Sequence, residues 1–511
     1  MNAANRVFLN TGILYLKMLV TVGITLYTTR LVLSALGVID YGIYNLIAGV
    51  IAMLSFLSAA MGTSTQRYLS YNQGLGNVKH TKAVFTNSLL LHIGLAFIVL
   101  VGLLIISLFL FDNFLNIPAD RVSTAKAVYY FMCFTVFFTI LSVPFTATLN
   151  ARENMLWIAI VNVVEVVLKL MVAYLLIKYG GDKLILYGLS MTVISIICLL
   201  IYAIFCLKKY EECSLAISKN ISSPLLKELS SFAGWNLFGA LCGIGKTQGL
   251  AILLNVFYGA VINAAYAIAM QVSGQMNFFS ATMLRALNPQ IMKSEGAGDR
   301  KLMLSLSMIA SKFGYYLLAF VALPGIFVMP AILTVWLKNV PEYTSIFCIL
   351  ILVAVMVNQI TVGLDSAIQA TGRIKVYMIL VGLIKLGILP LGYLLLKTGY
   401  SSISVIIGYA VLEGIAGCAR IWILKKQVHL SVKDYSLKVL IPVFIPTFFC
   451  MIYLYIVTYI FKIHDIYIFI SGCMMFLLLA YFTGLSKIEK EKINSLPSKL
   501  ICKIRGNGNS K

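Results

Sequence analysis

The chain has 511 residues, of which 60% are hydrophobic and only 11% are charged. Soluble proteins carry about 25% charged residues, so this composition excludes a set of soluble domains and indicates a polytopic membrane protein. The net charge of +22 does not indicate nucleic-acid binding, because the basic residues form short clusters between apolar runs.

Apolar runs long enough to cross about 30 Å of hydrocarbon recur along nearly the whole chain. They predict about fourteen transmembrane helices. The first six span residues 8–33, 42–64, 85–111, 127–149, 155–177 and 184–207, and the next six span residues 232–257, 260–284, 304–330, 344–369, 376–396 and 402–424. Two more follow at 438–461 and 466–485. The tightest hairpin, around Tyr258 and Gly259, can also be read as one broken helix.

Charge sets the predicted orientation. Most of the 40 Lys and Arg residues fall in alternate connecting segments, including the tail after the last span, so the positive-inside rule places both termini in the cytosol. The longest outer loop, about 112–126, is too short to fold alone, which argues against an external catalytic domain. The ten Cys residues include no CxxC pair, so neither a disulfide framework nor a zinc site is indicated.

The sequence repeats at a period near 220 residues. Four landmarks recur in the same order: residues 174–180 at 393–399, Gly74–Asn77 at Gly296–Asp299, Arg67 at Arg285, and the Lys208–Lys209 pair at Lys425–Lys426. The repeat predicts two six-helix bundles in the same orientation, with a transport cavity between them. The predicted division is a first bundle at 1–209, a cytosolic linker at 210–231, a second bundle at 232–426, two appended helices at 427–485 and a basic cytosolic tail at 486–511.

Nine ionisable residues fall inside predicted spans, where a charge is costly unless it has a partner or faces a cavity. They are Lys17, Arg30, Glu165, Lys169, Lys246, Lys312, Asp365, Lys385 and Glu413. Glu165 and Lys169 have the i,i+4 spacing of an intrahelical pair. Lys312 can reach the cytosolic surface, and Arg30 can reach Asp40 or the headgroups.

Two lysines lack an obvious partner in the sequence. Lys17 and Lys246 each lie on the first span of one repeat, and we predict that both face the lumen. Asp365, Lys385 and Glu413 lie on consecutive spans, and two interpretations stay open for them: a buried structural cluster or a site that binds the coupling ion, with Glu165 as a further coupling candidate.

The opening of the chain resembles a known family. Asn10 in the first span, Arg30, the segment from Leu36-Gly37 through Tyr41-Gly42 and Tyr44-Asn45, Arg67 and the short Gly74–Lys79 loop are similar to the Wzx-type polysaccharide flippases. These O-antigen and capsule unit exporters belong to the multidrug/oligosaccharidyl-lipid/polysaccharide superfamily, whose fold is MATE-like.

The resemblance implies a flippase that moves undecaprenyl-diphosphate-linked oligosaccharide across the bacterial inner membrane by alternating access. It implies a cationic cavity lined by spans 1, 2, 7 and 8, which here offer Lys17, Arg30 and Lys246 to the diphosphate. Spans 2 and 8 depart from this pattern, because their bases, Arg67 and Arg285, lie at the cytosolic ends; these two arginines are candidates for a gate that admits the substrate. Membrane lipids and polysaccharide polymerase or assembly proteins are the partners implied.

Two other functions remain open. An ion-coupled multidrug and toxin extrusion antiporter of the same superfamily would favour acidic residues in the first bundle, where Glu165 is the one acid inside a span and has Lys169 beside it. A membrane-embedded glycosyltransferase or O-antigen polymerase would need catalytic acids in an outer loop, and the acids there are scattered singly. We therefore expect a transporter rather than an enzyme, with no cofactor, metal or nucleic acid.

Overall fold

A computed structural model describes residues 3–52, 55–113, 117–214, 221–461 and 463–491. Helices make up nearly all of these ranges, and no β-strand occurs within them. The all-α polytopic membrane fold is therefore confirmed. Of the predicted basic tail at 486–511, residues 486–491 are described, and the part after position 491 lies outside the described residues.

The helices follow the predicted spans closely. In the first half of the chain they are α1 (Ala3–Ala52), α2 (Ser55–Gly74), α3 (Val78–Asn113), α4 (Val122–Ala151), α5 (Met155–Lys178), α6 (Lys183–Lys209) and α7 (Ser223–Gly296). In the second half they are α8 (Arg300–Phe327), α9 (Met329–Leu337), α10 (Thr344–Thr371), α11 (Lys375–Leu386), α12 (Ile388–Lys397), α13 (Ser402–Val428), α14 (Val432–Tyr435), α15 (Ile441–Tyr455) and α16 (Asp465–Leu479).

Twelve helices among the described residues are long and apolar enough to cross a membrane. Two of them are too long for one crossing: the apolar part of α1 runs over 40 residues and that of α7 over 56. At about 1.5 Å per residue each exceeds the roughly 30 Å hydrocarbon core about twofold or more. α7 covers two predicted spans, and α1 covers one span and the first part of the next, which continues in α2, so twelve helices accommodate the predicted fourteen.

Both long helices bend at a glycine that no other residue replaces easily. Gly37 in α1 has φ 79° and ψ 170°, and Gly259 in α7 has φ 75° and ψ −166°. This region of backbone space is essentially restricted to glycine. The two bends are 222 residues apart, which matches the sequence repeat and shows that the same turn is built twice.

The chain forms two compact units. Unit 1 contains residues 1–241, 285–303 and 366–379, and unit 2 contains residues 242–284, 304–365 and 380–511. The division into bundles at 1–209 and 232–426 rests on the repeat alone and stays a prediction.

Unit 1 has a core of apolar side chains from α1, α3, α4 and α6. Ile47, Leu103, Val128 and Tyr129 are almost completely buried in it. The phenol of Tyr129 donates a hydrogen bond to the carbonyl of Leu103 at 2.8 Å, so the one polar atom of this ring is satisfied inside the apolar core.

Unit 2 holds the two appended helices against α8. The hydroxyl of Tyr316 in α8 donates to the carbonyl of Pro442 at 2.7 Å, and Gly472 of α16 lies against Pro324. Gly363 brings α10 closer still to α8, because a Cβ there would lie 2.1 Å from the carbonyl oxygen of Ser307. Small residues allow such close helix contacts within membranes.

The helices α2 and α7 make a close and reciprocal contact in unit 1. A Cβ on Gly74 would lie 2.2 Å from the carbonyl oxygen of Lys293, and a Cβ on Gly296 would lie 2.0 Å from that of Tyr71. Gly74 and Gly296 are 222 residues apart, and so are Tyr71 and Lys293. The C-terminal ends of α2 and α7 therefore meet backbone to backbone around a local twofold relation between the two repeats.

We expect Gly296→Ala to destabilise the protein, because the added methyl group collides with main chain that cannot move aside as a side chain would. Overpacking of this kind costs about 1–3 kcal/mol of unfolding free energy. The measurement is the thermal unfolding midpoint in detergent. Gly94→Ala is the matched control, since nothing lies within 4 Å of a Cβ at Gly94; equal midpoints for the two variants would contradict the assignment.

Candidate functional site

Lys17 is the first of the predicted intramembrane cations of unit 1. Its side chain is half-buried in α1 and makes no hydrogen bond or ion pair within the described ranges. Arg285 and Glu165 lie close enough to act on its charge. Sequence reasoning placed Arg285 at the cytosolic end of its span, so its proximity to Lys17 was not expected.

The acid near Lys17 already has a partner. Glu165 accepts a hydrogen bond from Lys169 at 2.6 Å, and both side chains are about one-third exposed. This confirms the predicted intrahelical pair. The charged group of unit 1 thus combines three bases, Lys17, Lys169 and Arg285, with one acid.

The other two arginines predicted for unit 1 behave differently. Arg30 is exposed and forms no hydrogen bond or ion pair with the described residues. Arg67 is buried, with its guanidinium 4.4 Å from the ring centre of Tyr68 and 4.7 Å from that of Tyr71. It also donates to the carbonyl of Ala370 at 3.0 Å. Arg67 thus ties α2 to the end of α10 within unit 1.

Lys246 in unit 2 is not the unpartnered cation that its sequence context suggested. Its ammonium donates to Glu413 at 2.7 Å and to the Tyr409 hydroxyl at 3.0 Å, and the side chain is buried. Burial of a lysine at a membrane depth requires such a partner. The expectation that Lys246 lacks a partner is therefore wrong, while its predicted position facing the lumen stays a prediction.

Glu413 is the centre of the unit 2 charges. One carboxylate oxygen binds Lys246, while the other accepts no hydrogen bond and has the Lys385 ammonium 3.6 Å away. Asp365 and Arg420 also act on the charge of Lys385. The predicted grouping of Asp365, Lys385 and Glu413 is thus observed, and it is larger than predicted because Lys246 and Arg420 join it.

Lys312 has a specific partner rather than a free path to the membrane surface. Its ammonium lies 2.6 Å from Glu489, in the short helical segment 487–491 that follows α16. The side chain is 6% exposed, so the ion pair, not water, balances this charge.

An ion cluster that the sequence did not reveal lies at one end of unit 1. Arg121 donates to Asp40 at 2.9 Å and to Asp182 at 2.9 Å, and Thr124 donates to Asp182 at 3.0 Å. Partial burial alone would raise the pKa of Asp182, but the hydrogen bonds from Arg121 and Thr124 outweigh it and hold that pKa below its usual range. Asp40 is therefore taken by Arg121 and not by Arg30.

A second missed network lies at the predicted cytosolic end of unit 1. Glu153 is buried and binds Lys293 at 2.6 Å and Gln290 at 2.5 Å through its carboxylate. Its carbonyl accepts a hydrogen bond from the amide of Asn10 at 3.1 Å. Arg152 beside it forms a two-pronged pair with Glu212, with both distances 2.6 Å.

No group of three or more His, Cys, Asp and Glu residues among the described residues is placed to hold a metal ion.

Comparison with known proteins agrees with this architecture. Residues 14–175 match the MatE family model. No curated protein matches the chain.

Solved structures extend the similarity over most of the length. A MATE structure in the bent conformation is 13% identical, with a TM-score of 0.73 over 85% of this chain and 98% of that chain. An outward-facing multidrug resistance MATE family transporter of the MOP superfamily is 14% identical, with a TM-score of 0.69 over 84% and 96%. A MOP superfamily transporter from Pyrococcus furiosus, described as having a binding pocket of reverse polarity, is 14% identical, with a TM-score of 0.65 over 82% and 95%. The chain is thus a multi-pass membrane protein with the MATE-like fold.

We expect Glu413→Ala to lower the unfolding free energy by about 3–5 kcal/mol, because it leaves Lys246 and Lys385 without their acid. The thermal unfolding midpoint in detergent measures this. The double variant Lys246→Met/Glu413→Leu should recover part of the loss, since it removes the buried Lys246 charge, while Lys385 keeps only Asp365 as a nearby acid.

Glu165→Ala is the matched control. Its ion pair with Lys169 is partly exposed, so its removal should cost less than the removal of the buried Glu413. If Glu413→Ala were as stable as Glu165→Ala, the unit 2 cluster would not be a structural ion network.

Proposed function

We propose that this protein is a transporter that exports an anionic amphiphile, an undecaprenyl-diphosphate-linked oligosaccharide, across the bacterial inner membrane by alternating access. Lys17 carries the proposal. It is an intramembrane lysine that has no ion-pair partner among the described residues, and the nearest acid is already bound to another lysine.

The charge near Lys17 suits a diphosphate. Lys17, Lys169 and Arg285 supply three positive charges and Glu165 one negative charge, so the group is positive by two when all are ionised. A diphosphate that leaves water for the membrane interior needs fixed positive charge to replace its hydration. An excess of cations in this position attracts such a headgroup and repels organic cations.

A multidrug extrusion antiporter is the second candidate, and the comparisons support it at least as well. The MatE match covers part of unit 1, and one structure of the same fold is a multidrug resistance transporter. Organic cations would be attracted by unpaired acids, whereas Glu165 and Glu413 are both paired with lysine. The Pyrococcus furiosus transporter, with its pocket of reverse polarity, is an example in which this fold carries a different charge.

In this proposal the ion or proton that drives transport binds in unit 2. Glu413 holds two lysines through two different oxygens, at 2.7 and 3.6 Å, and the longer contact leaves one oxygen free of hydrogen bonds. A cation or proton that binds this carboxylate in one conformation only would bias the transport cycle. Asp365, Lys385 and Glu165 remain the further candidates for the same task.

The cellular setting follows from the same proposal. Both termini lie in the cytosol, so the basic loops face anionic lipid headgroups. Polysaccharide polymerase or assembly proteins would receive the exported unit on the outer side, and the transporter itself makes no covalent change in its substrate.

We expect Lys17→Met to reduce transport of a fluorescent polyprenyl diphosphate in proteoliposomes by about tenfold or more, a loss of about 1.4 kcal/mol of attraction. Lys17→Arg should retain most of the activity because it retains the charge. Lys79→Met is the matched control, since Lys79 is exposed at the start of α3.

The same vesicles separate the two candidate functions. Ethidium uptake driven by an ion gradient, together with no movement of the diphosphate probe, would establish the antiporter and overturn the flippase. Lys17→Glu should raise cation transport only if organic cations pass this site.

A further inference from the structure

Unit 1 contains a cavity of about 240 Å³ that the charge arguments above do not use. It lies among α1, α5 and α6, and the side chains that give it its chemistry are Thr25, Thr29, Tyr41, Tyr44, Asn45 and Tyr187. Hydroxyl, amide and aromatic groups thus meet in one partly open cavity, in which Thr25, Thr29 and Asn45 are exposed.

Several polar atoms at this cavity are not used by the protein. Thr28 donates to the carbonyl of Ile24 at 2.8 Å, as threonines in helices commonly do, but the hydroxyls of Thr25 and Thr29 make no hydrogen bond within the described ranges. The amide nitrogen of Asn45 donates to the Tyr41 carbonyl at 2.9 Å, which leaves its side-chain oxygen able to accept from a ligand. The hydroxyls of Thr25 and Thr29 and the side-chain oxygen of Asn45 are thus available to hydrogen-bond a polar ligand that enters the cavity.

The aromatic side of the cavity is held in place by its surroundings. The rings of Tyr44 and Tyr187 are 4.6 Å apart and tilted by 56°. Asp40, directly before Tyr41, is bound by Arg121, which also binds Asp182 at the start of α6. The turn at Gly37 reverses the chain so that Tyr41, Tyr44 and Asn45 face the threonines of the same helix.

Part of this cavity is formed by a sequence motif whose role the sequence alone did not indicate. The segment from Leu36 to Asn45 carried the resemblance to polysaccharide exporters, and its residues divide here into a turn, an ion anchor and a cavity wall. Aromatic rings pack against the apolar faces of a sugar ring, while hydroxyls and an amide bind its hydroxyl groups.

We infer that this cavity is a saccharide subsite, which binds one sugar ring of the substrate. The inference rests on the proposed function and deepens it. The volume is below the roughly 300–1,000 Å³ of pockets that enclose drug-sized ligands, so the cavity suits a single ring and not a whole oligosaccharide.

Lys169 restricts the class of ligand further. It lines the cavity, and its side chain is 38% exposed while it binds Glu165. An organic cation stacked on the tyrosines would meet this ammonium group, whereas a neutral or acidic sugar would not be repelled.

The test uses full-length protein in nanodiscs and two kinds of probe. One is a short-chain polyprenyl diphosphate without sugar, and the other is the same lipid carrying a hexose, an N-acetylhexosamine or a hexuronic acid. We expect at least one of the three sugars to raise affinity for the wild type. Asn45→Ala and Thr29→Ala, both at exposed positions, should each lower the affinity for the sugar-bearing probe about fivefold. Neither variant should change the affinity for the sugar-free probe.

Thr139→Ala is the matched control, because Thr139 is an exposed helical threonine of the same unit that does not line the cavity. If the sugar-free probe binds but none of the three sugars adds affinity, the subsite is overturned and the proposed function stands. If no diphosphate probe binds in any form, the proposed function fails. If a sugar gain survives both cavity variants, the sugar binds elsewhere and this cavity is not its site.

Discussion

A charge inside the membrane must be paired, hydrated or offered to a ligand, and this constraint organises both units of the protein. In unit 2 the constraint is met internally, because Lys246 and Lys385 share Glu413 and Lys312 binds Glu489. In unit 1 it is not met for Lys17, which has Arg285 near it and an acid already committed to Lys169. The unpaired charge of Lys17 is confined to one place in unit 1. It can therefore act as a binding site without preventing the unit from folding.

The sequence predicted the architecture well because hydrophobic length and glycine placement act locally. A run of about 20 apolar residues forms a helix in the membrane wherever it lies in the chain. The repeat was visible in short strings, and the structure adds bends at Gly37 and Gly259 with the same backbone angles. The hairpin at Gly259 could be read from the sequence as two helices or as one broken helix. The reason is physical, because a turn made by a single glycine interrupts the helix over only one residue.

The candidate sites were predicted less completely, because ion pairs form between distant parts of the chain. Glu165 and Lys169 could be paired from their spacing, but Lys246 and Glu413 are 167 residues apart and Glu153 and Lys293 are 140 apart. No periodicity relates such positions. The acids of the outer loops looked scattered for the same reason, although Arg121 gathers Asp40 and Asp182 from segments far apart in sequence.

The reciprocal glycine contact in unit 1 has a mechanical consequence. Because Gly74 and Gly296 rest on equivalent carbonyls of each other's helix, the same displacement that separates one contact separates the other. No flexible side chain lies between the two backbones to absorb a gradual shift. The joint between α2 and α7 is therefore cooperative: both halves hold together or release together, and intermediate positions gain neither contact.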